Sequence, residues 1–391
     1  MKAGWQRKKL ADVLKIQNGY AFDSKKFNSS KGMPLVRIRS LKLGVETETW
    51  FNGQYDDKYV VKAGDLLIGM DGEFGCFEWK GNPSLLNQRV CRLQDFTGAL
   101  IPKFLFYGVN DYLKAIEDVT GFTTVKHLSS KQILDIDFPV PPLPEQHRIV
   151  AILDAAFDGI ATAKANFEAN RQNARALFES HLQSVFAERG EGWTTKSLGE
   201  VVDAQCTLSY GIVQPGHEYA NGMPVVRPTD LTAKMITLDG LKLIDPKLAD
   251  GYRRTTLRGS ELLLCVRGTT GVVSVTAPEL AGANVTRGIV PIVFAPSLLR
   301  QDFGYFLMTS EAVQNQIRAK TYGAALMQIN IGDLRKISVS FPSLEEQQVM
   351  TIKLEELSSE TQRLESLYRQ KLTALDALKK SLLYQAFSGQ L

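Results

Sequence analysis

Short apolar segments dominate two stretches of the chain, 1–143 and 191–343. Residues 34–41, "PLVRIRSL", alternate apolar and polar positions as a half-buried strand does. Residues 65–70, "DLLIGM", and 261–266, "ELLLCV", are continuous apolar runs with the length of a buried strand. Each stretch also has one helical pattern before its last apolar segment, at 102–119 and 300–317. This mixture predicts one α+β domain in each stretch.

The period of the apolar positions changes after 142–146, "PLPEQ", and again after 343–347, "SLEEQ". Over 144–190 and 344–391, apolar residues recur at alternating spacings of four and three, the pattern of a coiled-coil seam. Pro144 and Glu145 suit a first helical turn, because proline lacks only a donor that would be unpaired there and a carboxylate complements the helix dipole. The predicted seam residues are Ile149, Leu153, Ile160, Phe167 and Leu177 in the first helix, and Leu354, Leu357, Leu364, Leu375, Leu378 and Leu382 in the second.

Two arrangements fit these long helices: each packs on its own domain as a core helix, or the two pack against each other. We favour the pairing, because a core helix of about five heptads that is kept twice in one chain is unusual.

The two halves of the chain repeat one another, which indicates a tandem duplication. The segment "GMPLVRI" at 32–38 returns as "GMPVVRP" at 222–228, and "GDLLIGMDGEFG" at 64–75 returns as "GSELLLCVRGTTG" at 259–271. A constant offset of 201 residues relates Leu143 to Leu344 and Phe186 to Phe387, so the two helices have one length. We therefore predict four segments: a first domain 1–143, a long helix 144–190, a second domain 191–343 and a long helix 344–391.

Composition narrows the class of protein. The chain has 391 residues, 44% of them apolar, which is enough for two or three buried cores. The formal charge of +4 permits an acidic partner but does not identify one. The four cysteines form no C-x-x-C pair, and no apolar run approaches the length of a membrane span. We expect a cytoplasmic protein with free thiols and no membrane partner.

The segments "NGYAF", "GMPLVRI", "TTVKHLSSKQILDIDFPVPPLPEQHRIVAILD" and "LLYQAFSGQL" resemble the DNA-specificity subunit of type I restriction-modification systems over the whole chain. The second helix start, "FPSLEEQ", departs from the first, "FPVPPLPEQ", by a shorter proline run. The resemblance implies two α+β target-recognition domains, each followed by a long helix, with the helices paired as an antiparallel coiled coil. The duplication adds pseudo-two-fold symmetry.

The resemblance also implies the partners. These are double-stranded DNA, two adenine-methyltransferase subunits and, through the assembled complex, restriction or translocase subunits. No cofactor is expected in this chain, whereas S-adenosylmethionine, ATP and Mg²⁺ are expected in the partner subunits. Because the two domains differ in sequence, we expect an asymmetric target with two half-sites.

Base readers are expected among Arg, Lys, Asn, Gln and similar polar residues in loops beside strands, because arginine pairs bidentately with guanine and Asn or Gln with adenine. Each has an alternative role as a solvated or locally hydrogen-bonded surface residue. The aromatic residues Tyr20, Phe22, Phe74 and Phe122 could stack on bases but are more typical of core packing. The candidate readers are Arg37, Arg39, Gln88, Arg89, Lys126 and His127 in the first domain, and Arg227, Arg267, Thr269, Thr270, Arg287, Gln328 and Asn330 in the second.

Catalytic motifs are not evident. The segment 82–85, "NPSL", lacks the second proline and the aromatic residue of an adenine-methyltransferase motif, and no phosphate-binding G-x-x-x-x-G-K-[ST] loop is present. Asp71, Glu78 and Lys80 are weakly similar to a nuclease site, but the repeated segment 267–276 has no acidic residue. We therefore expect a specificity subunit without catalytic residues. The alternatives are a specificity subunit of a related system that cuts near its site, a coiled-coil scaffold that binds only protein, and an enzyme in its own right.

Overall fold

The computed structural model describes residues 4–43, 48–120, 126–187, 190–323 and 326–391. It contains two compact units, Met1–Phe167 with Gln370–Leu391, and Glu168–Arg369. Each unit therefore holds one α+β domain and parts of both long helices. This division differs from the four predicted segments, because the apolar ends of the helices complete the cores of the domains.

Among its described residues, the first unit contains three sheets, ordered β1-β11, β2-β10-β7-β8 and β3-β5-β4-β9-β6. Its strands are β1 (Gln6–Lys9), β2 (Lys15–Asn18), β3 (Phe27–Asn28), β4 (Met33–Val36), β5 (Trp50–Phe51), β6 (Val60–Val61), β7 (Leu66–Gly69), β8 (Gly75–Glu78), β9 (Ser84–Leu86), β10 (Val90–Gln94) and β11 (Asp137–Val140). Its helices are α1 (Ile38–Leu43), α2 (Pro102–Val119), α3 (Ser130–Leu134) and the first part of α4 (Leu143–Ala187).

The second unit repeats this plan with sheets ordered β12-β20, β14-β17-β16-β19 and β15-β13-β18. Its strands are β12 (Thr194–Ser197), β13 (Met223–Val226), β14 (Met235–Ile236), β15 (Lys242–Ile244), β16 (Leu262–Cys265), β17 (Val273–Thr276), β18 (Asn284–Val285), β19 (Ile289–Ile292) and β20 (Ser338–Phe341). Its helices are α5 (Leu198–Val201), α6 (Gln301–Thr309), α7 (Glu311–Lys320), α8 (Ile331–Arg335) and the first part of α9 (Leu344–Ser388).

Most sequence-based predictions of elements in the domains are confirmed. The runs at 65–70 and 261–266 contain the buried strands β7 and β16, and the first helical pattern is α2. The second helical pattern breaks at Ser310 into α6 and α7. The prediction of one strand over 34–41 is wrong beyond Val36, because helix α1 begins at Ile38. Ser40 Oγ accepts a hydrogen bond from Arg37 N at 3.1 Å at the start of this helix. Leu41 is buried on the inner face of this short helix.

One buried glutamine fixes the start of each long helix. The Gln146 amide donates to the carbonyls of Ala99 and Pro141, both at 2.8 Å, and its oxygen accepts from Ile101 N at 2.8 Å. The side chain is fully buried, so its polar atoms need these partners. The glutamine of "PEQ" therefore connects the first turn of α4 to the loop before α2.

The second copy makes the same contacts. The fully buried Gln347 donates to the carbonyls of Leu298 at 3.0 Å and Pro342 at 2.9 Å, and accepts from Arg300 N at 2.9 Å. The shorter proline run of this copy leaves the contact unchanged.

The long helices have 45 residues each, and they pair in antiparallel fashion in the first unit. Arg148 near the start of α4 donates to the carbonyl of the last residue, Leu391, at 2.6 Å. Further along α4, the ring of Phe167 lies 5.1 Å from Lys371 Nζ. Residue numbers rise along one helix and fall along the other, so the helices run in opposite directions.

Near the helix starts, the predicted seam residues Ile149, Leu153 and Leu354 are buried in the cores of the domains. The predicted seam is wrong at Leu177 and Leu378, which are 65% and 47% exposed. In α4 the inward positions are Phe178 and Leu182 instead. A straight helix drifts about 20° per heptad from a strict seven-residue repeat, so about four heptads after Ile149 the inward face has moved by roughly one residue. Of the other predicted residues, Ile149, Leu153, Ile160 and Leu354 are buried, and Phe167, Leu357, Leu364, Leu375 and Leu382 are half-buried.

The C-terminal end of each helix supplies an aromatic side chain to a core. In the first unit, the ring of Phe387 lies 5.0 Å from that of Phe104, and a Cβ at Gly108 would stand 2.4 Å from it. In the second unit, the ring of Phe186 lies 5.4 Å from that of Phe303. The core of each unit therefore contains the start of one long helix and the end of the other.

Replacing Gln146 by methionine tests the buried amide. The unbranched side chain keeps the volume but leaves two carbonyls and one N–H without partners, so we expect the free energy of unfolding to fall by about 2 to 4 kcal/mol. Urea unfolding measures this loss. The exposed Gln172 of the same helix is the matched control, and Gln172→Met should leave the midpoint unchanged. Equal midpoints for the two variants would contradict the assigned role.

Candidate nucleic-acid interface

Two pairs of parallel strands bring the candidate readers together. In the first unit β4 runs parallel to β9, so Arg37 and Gln88, which follow these strands, lie at the same end of the sheet. In the second unit β13 runs parallel to β18 and places Arg227 beside Arg287 in the same way. Polar side chains after the carboxyl ends of parallel strands share one edge, so the four residues occupy equivalent places in the two units.

Backbone hydrogen bonds join three segments into one surface in each unit. In the first unit Met70 N donates to Arg89 O at 2.9 Å, and Gly72 N donates to Lys126 O at 3.0 Å. In the second unit the equivalent bonds run from Val266 N to Gly288 O and from Gly268 N to Met327 O, both at 2.8 Å. We call these surfaces the reading edges; they comprise 70–72, 88–89 and 126–128 in the first unit, and 210, 266–270, 287–288 and 326–329 in the second.

A glycine in each unit permits a close backbone approach that holds a reading edge. A Cβ at Gly211 would stand 1.9 Å from Val285 O, and Arg287 N donates to Ile212 O at 2.9 Å. Gly19 makes the same approach to the carbonyl of Asn87. Only glycine fits at such distances, so these residues fix the backbone that carries Arg287 and its counterpart Gln88.

The reading edge of the first unit contains one network of charged side chains. Asp71 contacts His127 through Oδ1 and lies 3.5 Å from Arg89 Nε through Oδ2, and Arg89 also contacts His127. Arg89 adopts a left-handed backbone with φ of 72°. Arg89 and His127 are more than half exposed, whereas Asp71 is mostly covered. The carboxylate therefore holds an arginine and a histidine whose side chains are exposed.

Two further candidates of the first unit, Arg39 and Lys126, do not belong to this network. Arg39 is exposed on α1. Lys126 Nζ donates to Glu117 O near the end of α2 at 2.7 Å, a favourable place for a cation. Its backbone, rather than its amine, has the clearer role in the reading edge.

The reading edge of the second unit is built around Tyr210. Its hydroxyl donates to Ile329 O at 3.2 Å, and Arg267, Arg287 and Tyr322 act on it electrostatically. Burial raises the pKa of Tyr210 above its usual value, although the two arginines lower it, so the hydroxyl remains a donor at neutral pH. Arg287 is exposed and Arg267 is half-buried. This edge is therefore more basic than the first.

Some candidates of the second unit hold the local structure. Arg227 pairs bidentately with Asp230, at 3.0 and 2.7 Å, which raises the pKa of Arg227 and offsets its charge. Asn330 caps α8 by accepting from Asp333 N at 2.8 Å. Thr270 Oγ1 donates to Met327 O at 3.3 Å. Of the remaining candidates, Thr269 lies in the exposed turn, with Oγ1 3.5 Å from Cys265 Sγ, and Gln328 lies opposite Arg267.

The aromatic candidates differ in how much of each side chain is exposed. Phe22 and Phe74 are buried, and Phe122 lies outside the described residues. Tyr20 is 52% exposed and packs edge-on against Phe22, with ring centroids 5.1 Å apart.

Reasoning from the sequence missed four residues of the reading edges, Asp71 as an orienting group and Tyr210, Leu326 and Met327 in the second unit. The pairing of 126–128 and 327–329 with the segments after β7 and β16, which only the structure shows, makes Met327 the counterpart of Lys126.

Among the described residues, no group of three His, Cys, Asp or Glu side chains is placed to hold a metal ion. No helix in the described part of the chain is long and apolar enough to cross a membrane.

The family model for the type I restriction modification DNA specificity domain matches residues 2–168 and 190–374. The chain therefore belongs to the family of type I restriction-modification specificity subunits, which confirms the resemblance seen in the sequence. It is 29% identical over 410 residues to the type I restriction enzyme EcoBI specificity subunit of Escherichia coli, covering 99% of this chain and 86% of the relative. The MjaVIII specificity subunit of Methanocaldococcus jannaschii is 22% identical over 357 residues, covering 85% of this chain and 80% of the relative.

Solved structures share the fold. The HsdS subunit from Thermoanaerobacter tengcongensis matches with a TM-score of 0.60 at 19% identity, covering 100% of this chain and 98% of that one. A chain from a study of complex assembly and conformational transition of the type I R-M system matches with a TM-score of 0.75 at 19% identity, covering 100% and 99%. The predicted fold class of two tandem α+β domains with long helices is confirmed.

Arg287→Ala and Arg227→Ala each remove one guanidinium group from the second unit, so the second substitution is the control for the first. We expect Arg287→Ala to weaken binding of the specific target by about 5- to 100-fold, because an exposed arginine can form a bidentate pair with guanine. Arg227→Ala should change it by less than about threefold, since Asp230 already holds that guanidinium. Electrophoretic mobility shifts at fixed salt measure both affinities, and a larger loss for Arg227→Ala would reverse the assignment.

Proposed function

We propose that this chain is the DNA-specificity subunit of a type I restriction-modification complex and recognises an asymmetric, bipartite double-stranded target. One observation carries the proposal: the same backbone framework holds different side chains in the two units. Asp71, Arg89 and His127 form one reading edge, whereas Arg267, Arg287 and Gln328 form the other. Two edges with different hydrogen-bonding groups select different bases, so the half-sites should differ.

We further propose that the chain has no catalytic role and that it positions two adenine-methyltransferase subunits. With translocase or nuclease subunits, the complex would direct restriction. S-adenosylmethionine, ATP and Mg²⁺ then belong to the partner subunits. The similarity to a chain from a study of type I complex assembly supports the presence of partner subunits.

Equivalent exposed leucines support the binding of two copies of one partner. Leu177 on α4 and Leu378 on α9 are related by the 201-residue offset, and both are exposed although their positions were predicted to be buried. A large apolar side chain that is repeated on both helices offers the same contact twice. This matches what two identical methyltransferase subunits would require.

Mapping of methylated adenines tests the proposed function. The chain is produced with its modification partner, and the modified DNA is read by long-read sequencing. We expect one motif with two unlike half-sites, a fixed gap and one methylated adenine in each half. The chain alone, incubated with S-adenosylmethionine and the same DNA, should transfer no methyl group. Methylation in a continuous motif, at random sites or by the chain alone would reject the proposal.

Leu177→Asp and Leu378→Asp test the stoichiometry. A carboxylate in an apolar contact is costly to desolvate, so we expect each variant to retain one methyltransferase subunit and the double variant to retain none. Native mass spectrometry of the purified complexes counts the subunits. Ala161→Asp, on an exposed position nearly opposite Leu177 around α4, is the control and should retain both. Two bound subunits in the double variant would exclude these leucines from the contact.

A further inference from the structure

Two apolar side chains project from the reading edge of the second unit. Leu326 is 46% exposed and Met327 is 45% exposed. They precede Gln328, which exchanges two backbone hydrogen bonds with Tyr322, N to O at 2.8 and 2.9 Å. Adjacent exposed apolar side chains offer a contact to another molecule when charged groups beside them select that molecule.

Hydrogen bonds hold this pair against the candidate base readers. Met327 O accepts from Gly268 N at 2.8 Å and from Thr270 Oγ1 at 3.3 Å. A Cβ at Gly268 would stand 3.9 Å from Leu326 Cδ1, so that side chain lies over the turn that follows Arg267. The apolar pair therefore has a fixed place within the reading edge.

The charges beside the pair favour nucleic acid as the molecule that covers it. Arg267 lies opposite Gln328 in the paired segment. Arg287 precedes Gly288, whose carbonyl accepts from Val266 N of the same edge at 2.8 Å. Two arginines in the same reading edge complement a polyanion, whereas an apolar protein surface would have to desolvate them. Duplex DNA offers one apolar group to side chains in its major groove, the C5-methyl group of thymine. The arginine and glutamine side chains of this edge read the same groove.

We infer that Leu326 and Met327 contact the C5-methyl group of a thymine in the half-site that the second unit binds. This inference rests on the proposed function, because it assigns one base of the target. The equivalent of Met327 in the first unit is Lys126, whose amine contacts the end of α2. The contact therefore also helps to make the two half-sites different.

Substitution of thymine by deoxyuridine tests the contact, since it removes the methyl group and keeps base pairing. The complex of the chain with its modification partner is titrated with duplexes of the mapped target in which each thymine is replaced in turn. We expect one replacement in one half-site to weaken binding about fourfold, the value for one buried methyl group. In the double variant Leu326→Ala, Met327→Ala, this replacement should have no further effect.

Met235→Ala is the control for the double variant. Met235 is 56% exposed, and it pairs with Val275, toward the opposite end of β17 from the turn that contains Thr270. This variant should keep the fourfold loss at the same thymine.

The outcomes separate this inference from the proposed function. If the wild-type complex binds its mapped target but no deoxyuridine replacement weakens binding, the inference is wrong and the proposed function stands. If the double variant keeps the full loss, or loses its methyltransferase subunits in the absence of DNA, the pair has another role. If the wild-type complex shows no preference for any sequence, the proposed function itself fails.

Discussion

A single buried amide at the start of each long helix is the contact on which the repeated architecture depends. Gln146 and Gln347 connect the first helical turn to the loop before the domain's helix, through hydrogen bonds that no apolar side chain could replace. Because the amide is rigid and fully enclosed, it fixes both the position and the direction in which the helix leaves its domain. The apolar helix ends then enter the cores, with Phe186 and Phe387 as the aromatic contacts.

The reading edges of the two units share one backbone framework but have different outward side chains. Their positions depend on backbone hydrogen bonds and on the close approach at Gly19 and Gly211, neither of which depends on the outward side chains. The side chains were therefore free to change. One unit has a carboxylate that orients an arginine and a histidine, and the other has two arginines beside an apolar pair. Different base preferences follow from this difference, while the protein backbone stays the same.

The sequence predicted much of the fold because long periodic patterns constrain the chain strongly. The duplicated helices, the buried strands β7 and β16, and helix α2 were all evident from spacing and composition. The errors arose where a local contact outweighs the pattern. The Ser40 hydroxyl binds Arg37 N at the start of a helix inside an alternating segment, and the drift of a straight helix exposes Leu177 and Leu378 although they keep the seven-residue spacing.

For the candidate site, the sequence alone determined the residue types and the order in which they occur, because arginine, glutamine and histidine near strand ends can be recognised without a structure. The tertiary structure decided which of them act together. In the structure Arg227 pairs with Asp230, and Asn330 caps a helix. Leu326 and Met327 lie beside the turn that follows Arg267. These contacts join residues brought together by strand pairing or by short turns, and hydrophobic periodicity carries no information about either.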